Sequence, residues 1–223
     1  MKKIIVIVLA VSSIFFLTVT KTLAEWSVGI SLSTGVYEAD GQENEDGEIN
    51  KATAEEAQFS YPSLFVEYNI GRVSIGFDVI PGSLTTEEQA RTDYNVGISA
   101  GVGNDGAGAA ITNKVQVELS RHVSLYALVP ITDIGAFARV QIMRVDVETK
   151  EVLGSGSTYP DTTMEGASLS LGYQHDTGGA AFLRAEVGYT DYEAISVTAT
   201  NTSNKVDADV DGTWARISIG KTF

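Results

Sequence analysis

Four stretches of the sequence carry residue types that could do chemistry. The two histidines sit beside charged residues: His122 follows Arg121, and His175 precedes Asp176. A histidine within reach of a serine and a carboxylate is the general base of an acyl-transfer enzyme. No serine is marked by its sequence as the partner, so hydrolase or acyltransferase chemistry is a third-ranked reading, and the expectation is a protein that is not an enzyme. Asp207-Ala208-Asp209-Val210-Asp211-Gly212 matches the first half of a calcium-binding loop, but its twelfth position is Ser218 and not Glu. The segment alternates like a strand and reads as a solvated acidic strand end. With the acidic run at 38–48 it suits loose divalent-ion association and no dedicated metal site. Gly101-Val102-Gly103-Asn104-Asp105-Gly106 fits G-x-G-x-x-G without the strand, helix and βαβ unit that a dinucleotide site needs, and reads as a flexible turn. No cofactor is expected.

The elements that must position these residues begin after residue 24. Lys2 and Lys3 precede an apolar stretch from Ile4 to Leu17, and small residues lead up to Ala24. This is the pattern of a cleavable signal peptide at 1–24. The stretch is shorter than the roughly 20 residues that span a bilayer as a helix. The remaining domain, 25–223, keeps 12 basic and 29 acidic residues, a net charge of −17. So acidic a chain lacks the clustered cations that bind nucleic acid. It has no Cys, which excludes disulfides, thiolate metal sites and lipid attachment through Cys.

Period-two alternation dominates the domain, the mark of strands with two unlike faces. Val73, Ile75, Phe77 and Val79 alternate with Ser74, Gly76 and Asp78; Leu183, Ala185 and Val187 alternate with Arg184, Glu186 and Gly188. Eight strands are predicted at about 25–37, 58–69, 73–82, 115–131, 136–147, 163–174, 181–190 and 206–223. The connections alternate long and short: 38–57, 83–114, 148–162 and 191–205 are long, and those between them short. All long loops therefore leave one end. That segregation is the form of an all-β, antiparallel, up-and-down transmembrane barrel. Tyr94, Val96, Ile98, Ala100 and Val102 also alternate, so ten strands is the alternative. An even strand number puts both termini on the short-turn side, the periplasm. No further domain is expected after the barrel.

The chain ends Arg216-Ile217-Ser218-Ile219-Gly220-Lys221-Thr222-Phe223. Ala215, Ile217, Ile219 and Phe223 resemble the C-terminal signal that outer-membrane barrels present to the barrel assembly machinery, with Lys221 departing from it. In size, strand length and loop polarity the domain is similar to small OmpA- and OmpX-like outer-membrane barrels. The resemblance implies an outer-membrane location and no particular activity. Trp26, Tyr68, Tyr173 and Phe223 are expected at the periplasmic headgroup layer, and Tyr61, Tyr189 and Trp214 at the outer one.

If the apolar face meets lipid, the opposite face meets the bore. There Glu67, Asp78, Arg139, Arg184, Glu186 and Arg216 form an expected salt-bridge network, with Gly29, Gly76, Gly172, Gly188 and Gly220 leaving room for the long side chains. An eight-stranded barrel is wide enough only for its own side chains. The functional expectation is a monomeric outer-membrane barrel with a structural or surface-interaction role. Its acidic outer loops carry the interaction surface, and its partners are membrane lipid, lipopolysaccharide and an unidentified extracellular ligand. The alternative is a narrow porin-like channel for small solutes or cations. A soluble lipocalin-like barrel would reverse the two faces.

Overall fold

The computed structural model describes residues 25–45, 48–94, 110–152, 157–177 and 179–223. The leader at 1–24, the Gly101–Gly106 match and the alternation from Val96 to Val102 lie outside the described residues. Eleven strands form one antiparallel sheet: β1 (Glu25–Glu45), β2 (Glu48–Ile70), β3 (Val73–Val79), β4 (Leu84–Thr85), β5 (Gln89–Tyr94), β6 (Ala110–Pro130), β7 (Ala136–Val152), β8 (Thr162–Asp176), β9 (Ala181–Tyr192), β10 (Ile195–Thr198) and β11 (Lys205–Thr222).

The sheet closes on itself. β1 pairs β11 from Ser27↔Thr222 to Asn44↔Lys205, and Trp26 and Phe223 exchange backbone hydrogen bonds of 3.4 and 2.7 Å at the seam. The terminal aromatic is thus part of the ladder, and the closure removes the edge that lipid would leave unsatisfied. Going round the ring, the order is β1, β2, β3, β6, β7, β8, β9, β11. β4 and β5 follow β3 along the same side of β6, and β10 follows β9 along β11, so none adds a position. The described ring therefore has eight positions, not ten.

The long connections are largely strand. β1 runs on to Glu45 and β2 starts at Glu48, so the expected loop 38–57 is a ladder of paired residues. Beyond the membrane both faces meet water, so no hydrophobic alternation marks these extensions; backbone pairing alone continues them. The opposite end has short turns, with Gly71 at φ 65° and Gly135 at φ 106°. A Cβ on Gly135 would lie 2.2 Å from the Gln174 carbonyl oxygen, so that turn requires glycine.

The faces separate cleanly. Leu183 and Val187 are 47% and 62% exposed, whereas Arg184 and Glu186 between them are 4% and 3%. Ile30, Leu32, Leu64, Phe77, Leu125, Ile142, Leu169, Leu171, Ile217 and Ile219 complete an exposed apolar belt around the ring. A belt of that extent belongs in lipid. Apolar residues outside and ions inside reverse the lipocalin arrangement. On β6 a bulge interrupts the alternation: Arg121 takes φ 49°, and the register against β7 shifts between Ser120 and Val123. Val117 and Leu119 pack inside before the bulge, and Ser124, Tyr126 and Leu128 are buried inside after it. Arg121 itself is exposed and pairs with Asp146.

Candidate functional site

The bore is filled in two layers. Nearer the short turns lie the ions. The Arg184 guanidinium donates to both carboxylate oxygens of Glu67, at 2.7 and 3.1 Å. Tyr126 donates its hydroxyl to Glu67 Oε1 at 2.8 Å, and Arg184 also donates to Gln174 Oε1 at 2.8 Å. Arg139 pairs with Glu186 at 2.8 Å, and Ser170 donates to the same carboxylate. Arg216 donates to Ser33 Oγ at 2.9 Å and reaches Asp78 Oδ2 only at 3.5 Å. Ser63 completes the Asp78 contacts at 2.9 Å. None of the six ions is more than 5% exposed. Three acids and three bases cancel, which is the condition for holding ions in low dielectric.

The structure brings the six ions together as three pairs and adds an aromatic frame. The Arg184 guanidinium carbon lies 4.8 Å from the Phe182 ring centroid and 5.3 Å from that of Phe137; Arg139 lies 4.0 Å over Tyr126, and Arg216 5.0 Å over Trp214. These rings dictate the glycines. Phe65, Tyr126, Phe137, Phe182 and Trp214 face Gly29, Gly76, Gly172, Gly220 and Gly188 directly across the ladder. A Cβ on any of those glycines would lie 2.2–2.5 Å from a ring atom. The expectation that the glycines make room for ions is corrected: they make room for aromatic rings, which in turn sandwich the arginines.

Two interface assignments are corrected with them. Tyr61 and Trp214 are each 6% exposed and point into the bore. Their parity explains it, since Trp214 shares a face with Arg216 and Tyr61 with Glu67. Trp214 donates to Thr190 Oγ1 at 3.0 Å, and Tyr61 shares a hydrogen bond of 3.1 Å with Tyr37. Trp26 (54%), Tyr173 (48%) and Phe223 (69%) are exposed at the short-turn end, Tyr68 packs on Trp26 at 4.9 Å, and Tyr189 (44%) is exposed toward the long hairpins. Ala215, Ile217 and Ile219 face outward on β11, with Lys221 4.8 Å from the Phe223 ring centroid.

Toward the long hairpins the bore becomes apolar. Met143, Val145, Val147, Met164 and Tyr192 form a buried cluster, with Tyr37, Val117, Leu119, Ile195 and Val210 packed against it. Sequence reading missed this layer although Met143, Val145 and Val147 keep the parity of Arg139 on β7; the change of parity at Arg121 hid only the β6 members, Val117 and Leu119. His122 lies beside it, its Nε2 3.4 Å from the Tyr192 hydroxyl; among the described residues no hydrogen bond joins it to a serine or a carboxylate. His175 is exposed on β8. Asp207, Asp209 and Asp211 lie in β11 paired to β1, an extended geometry that cannot wrap a cation, and among the described residues no three His, Asp or Glu converge as metal ligands. Outside the belt, the Lys205 ammonium, hydrogen-bonded to Asp207, holds that carboxyl below its ordinary range, and the Lys150 ammonium does the same for Glu148.

The closed antiparallel sheet, its outer apolar belt and its charged bore are the architecture of a small transmembrane β-barrel. Comparison with solved structures bears out the fold. The outer membrane protein AlkL, solved in lipid bilayers, superposes with a TM-score of 0.51 at 14% identity, covering 92% of this chain and 93% of its own. OprG from Pseudomonas aeruginosa gives 0.48 at 17% identity, over 90% and 96%. The protease OmpT from Escherichia coli gives 0.47 at 11%, over 92% and 100%. No family model and no curated protein sequence matches the chain.

Proposed function

We propose that the chain, after loss of residues 1–24, is a monomeric, non-catalytic outer-membrane barrel that anchors an interaction surface. Its termini lie in the periplasm. Its long hairpins stand outside among lipopolysaccharide headgroups and present their acidic residues to an extracellular ligand. The C-terminal strand is read by the assembly machinery during insertion. One observation carries this reading above the channel alternative: the six bore ions are paired and at most 5% exposed, which favours a closed bore over an aqueous path along the axis. A conducting barrel of this strand number would have to break pairs that each cost several kcal/mol to separate in a dry bore.

Planar-bilayer recording tests it. The purified barrel is expected to insert, judged by protease protection in vesicles, and to pass no stable unitary current. Reproducible current steps at neutral pH would establish the channel instead.

A further inference from the structure

The wall of the barrel is unpaired over one long stretch. β2 pairs β3 from Ile70↔Val73 to Leu64↔Val79. Beyond that pair β2 is bonded to β1, while β4 and β5 are bonded to β6, and among the described residues no ladder joins the two sides. Pro62 and Pro81 flank the point of separation, and neither has a backbone N–H to leave unsatisfied. Gly82 follows at φ 84°, and a Cβ there would meet nothing within 4 Å. A parting between β8 and β10 is treated differently. There Glu193 donates its N–H to the Glu165 carbonyl, and Thr158 and Thr200 bind the adjoining loops together at 2.8 Å.

The notch opens inside the apolar belt. Pro62 faces Leu32, 54% exposed, and Val36 farther along β1 is still 41% exposed. Ile30, Leu32, Pro62, Leu64 and Pro81 line an outer groove that runs to it. Its inner side gives onto the apolar layer and not onto the ions. Tyr61 and Ile80, one on each jamb, are both 6% exposed. Tyr61 leads through its hydrogen bond to Tyr37, and Leu84 through its ladder partner Leu119, to the Met143–Tyr192 cluster. An apolar interior joined to lipid by an opening whose inner corners, Pro62 and Pro81, carry no N–H, and sealed from the other end by ion pairs, suits a hydrocarbon and excludes ions and sugars.

We propose that the notch is a side entrance through which a linear hydrocarbon chain passes between the bilayer and the apolar layer of the bore. The chain is either the tail of a membrane lipid or a free apolar molecule dissolved among the tails. This is independent of whether the barrel conducts.

Trp214 reports on it, since it is buried in the bore one inward position from Arg216 toward the long hairpins, and Trp26→Phe leaves it the single tryptophan. The chain has no cysteine, so Ser83→Cys beside the notch and Thr213→Cys on the outer face of β11 can each be modified after folding with a sulfonated methanethiosulfonate. In phosphatidylcholine vesicles, 1-bromododecane is expected to quench Trp214 saturably. Vesicles of dibrominated phosphatidylcholine show whether lipid tails enter as well. Modification at Ser83→Cys is expected to abolish quenching, and modification at Thr213→Cys to leave it intact. Quenching by neither probe overturns the entrance, as does quenching that survives modification at Ser83→Cys or is lost equally at both positions.

Discussion

Gly76 and Tyr126 are cross-strand partners on β3 and β6, and the phenol ring lies over the glycine so closely that a Cβ on residue 76 would sit 2.2 Å from its Cζ. The ring is held from its other end, because its hydroxyl donates to Glu67, the carboxylate that Arg184 grips with two hydrogen bonds. One missing side chain on β3 thus fixes an ion pair between β2 and β9. The Gly76→Ala barrel is expected to lose about 1–3 kcal/mol, the usual cost of overpacking. Its unfolding midpoint in detergent, read from the heat-dependent gel shift, measures this. An unchanged midpoint would show that the ring has somewhere else to go.

The three ion pairs differ in geometry, and removing one partner should reveal it. Arg184 makes a bidentate contact and two further bonds to Gln174, whereas Arg216 stands 3.5 Å from Asp78. Arg184→Leu leaves Glu67 buried and uncompensated, which costs about 3–5 kcal/mol. Each carboxylate keeps a hydroxyl donor, Tyr126 for Glu67 and Ser63 for Asp78, so Arg216→Leu is expected to cost less because the contact it removes is a single one at 3.5 Å. Unfolding midpoints of the two variants, compared in one detergent, decide the order. Adding Glu67→Gln to Arg184→Leu should recover much of the loss, since the orphaned charge is then gone.

How much of this was legible beforehand follows from which signals are local. The parity of Leu183, Arg184, Val187 and Glu186 is printed in the sequence, so the two faces and the ionic bore could be read directly. The partner of each ion could not, because Glu67 and Arg184 meet across the bore and no periodicity links residues so far apart. The role of the glycines was half visible. Gly76 and Gly172 stand on the inward parity, but the rings they receive, Tyr126 and Phe137, belong to neighbouring strands and become evident only with the register. Trp214 and Tyr61 were misassigned by their position near strand ends, although their parity with Arg216 and Glu67 already pointed inward. In the apolar layer, Met143, Val145 and Val147 were legible from their parity with Arg139, whereas Val117 and Leu119 were hidden by the bulge at Arg121; the notch at Pro62 and Pro81 is a property of pairing, which a single strand does not display.

The outer face of the long hairpins carries a row of like charges. Glu38 stands opposite Glu56 on one side and Asp211 on the other, and Asp211 stands opposite Asp191. Directly opposed like charges destabilise a ladder. Glu38→Gln is expected to raise the unfolding midpoint at low salt. The gain should vanish near 1 M salt, where the screening length falls to about 3 Å. A gain that persists in high salt would assign the effect to packing instead.

The connection between β7 and β8 is tied across the mouth to β1, where Tyr159 donates its hydroxyl to Glu43 at 2.5 Å. Glu151 accepts from the Tyr159 N–H at 3.3 Å, and Asn204 donates to Ser157 at 2.9 Å, so the tie is one of several. Partial burial first, and then the bond to Glu43, push the phenol above its ordinary range and keep it a donor. Because the folded value is raised, this contribution is fully present below the ordinary phenol value near 10 and is lost as pH climbs beyond it. Tyr159→Phe is expected to speed amide exchange at 157–161 by about tenfold at neutral pH, the lower end for a charge-assisted bond once exposure is discounted. The same variant should show no further acceleration between pH 10 and 12 beyond the base-catalysed rate, whereas the native chain should. Equal exchange in the two proteins at neutral pH would mean that the bonds to Glu151 and Asn204 hold the connection without Tyr159.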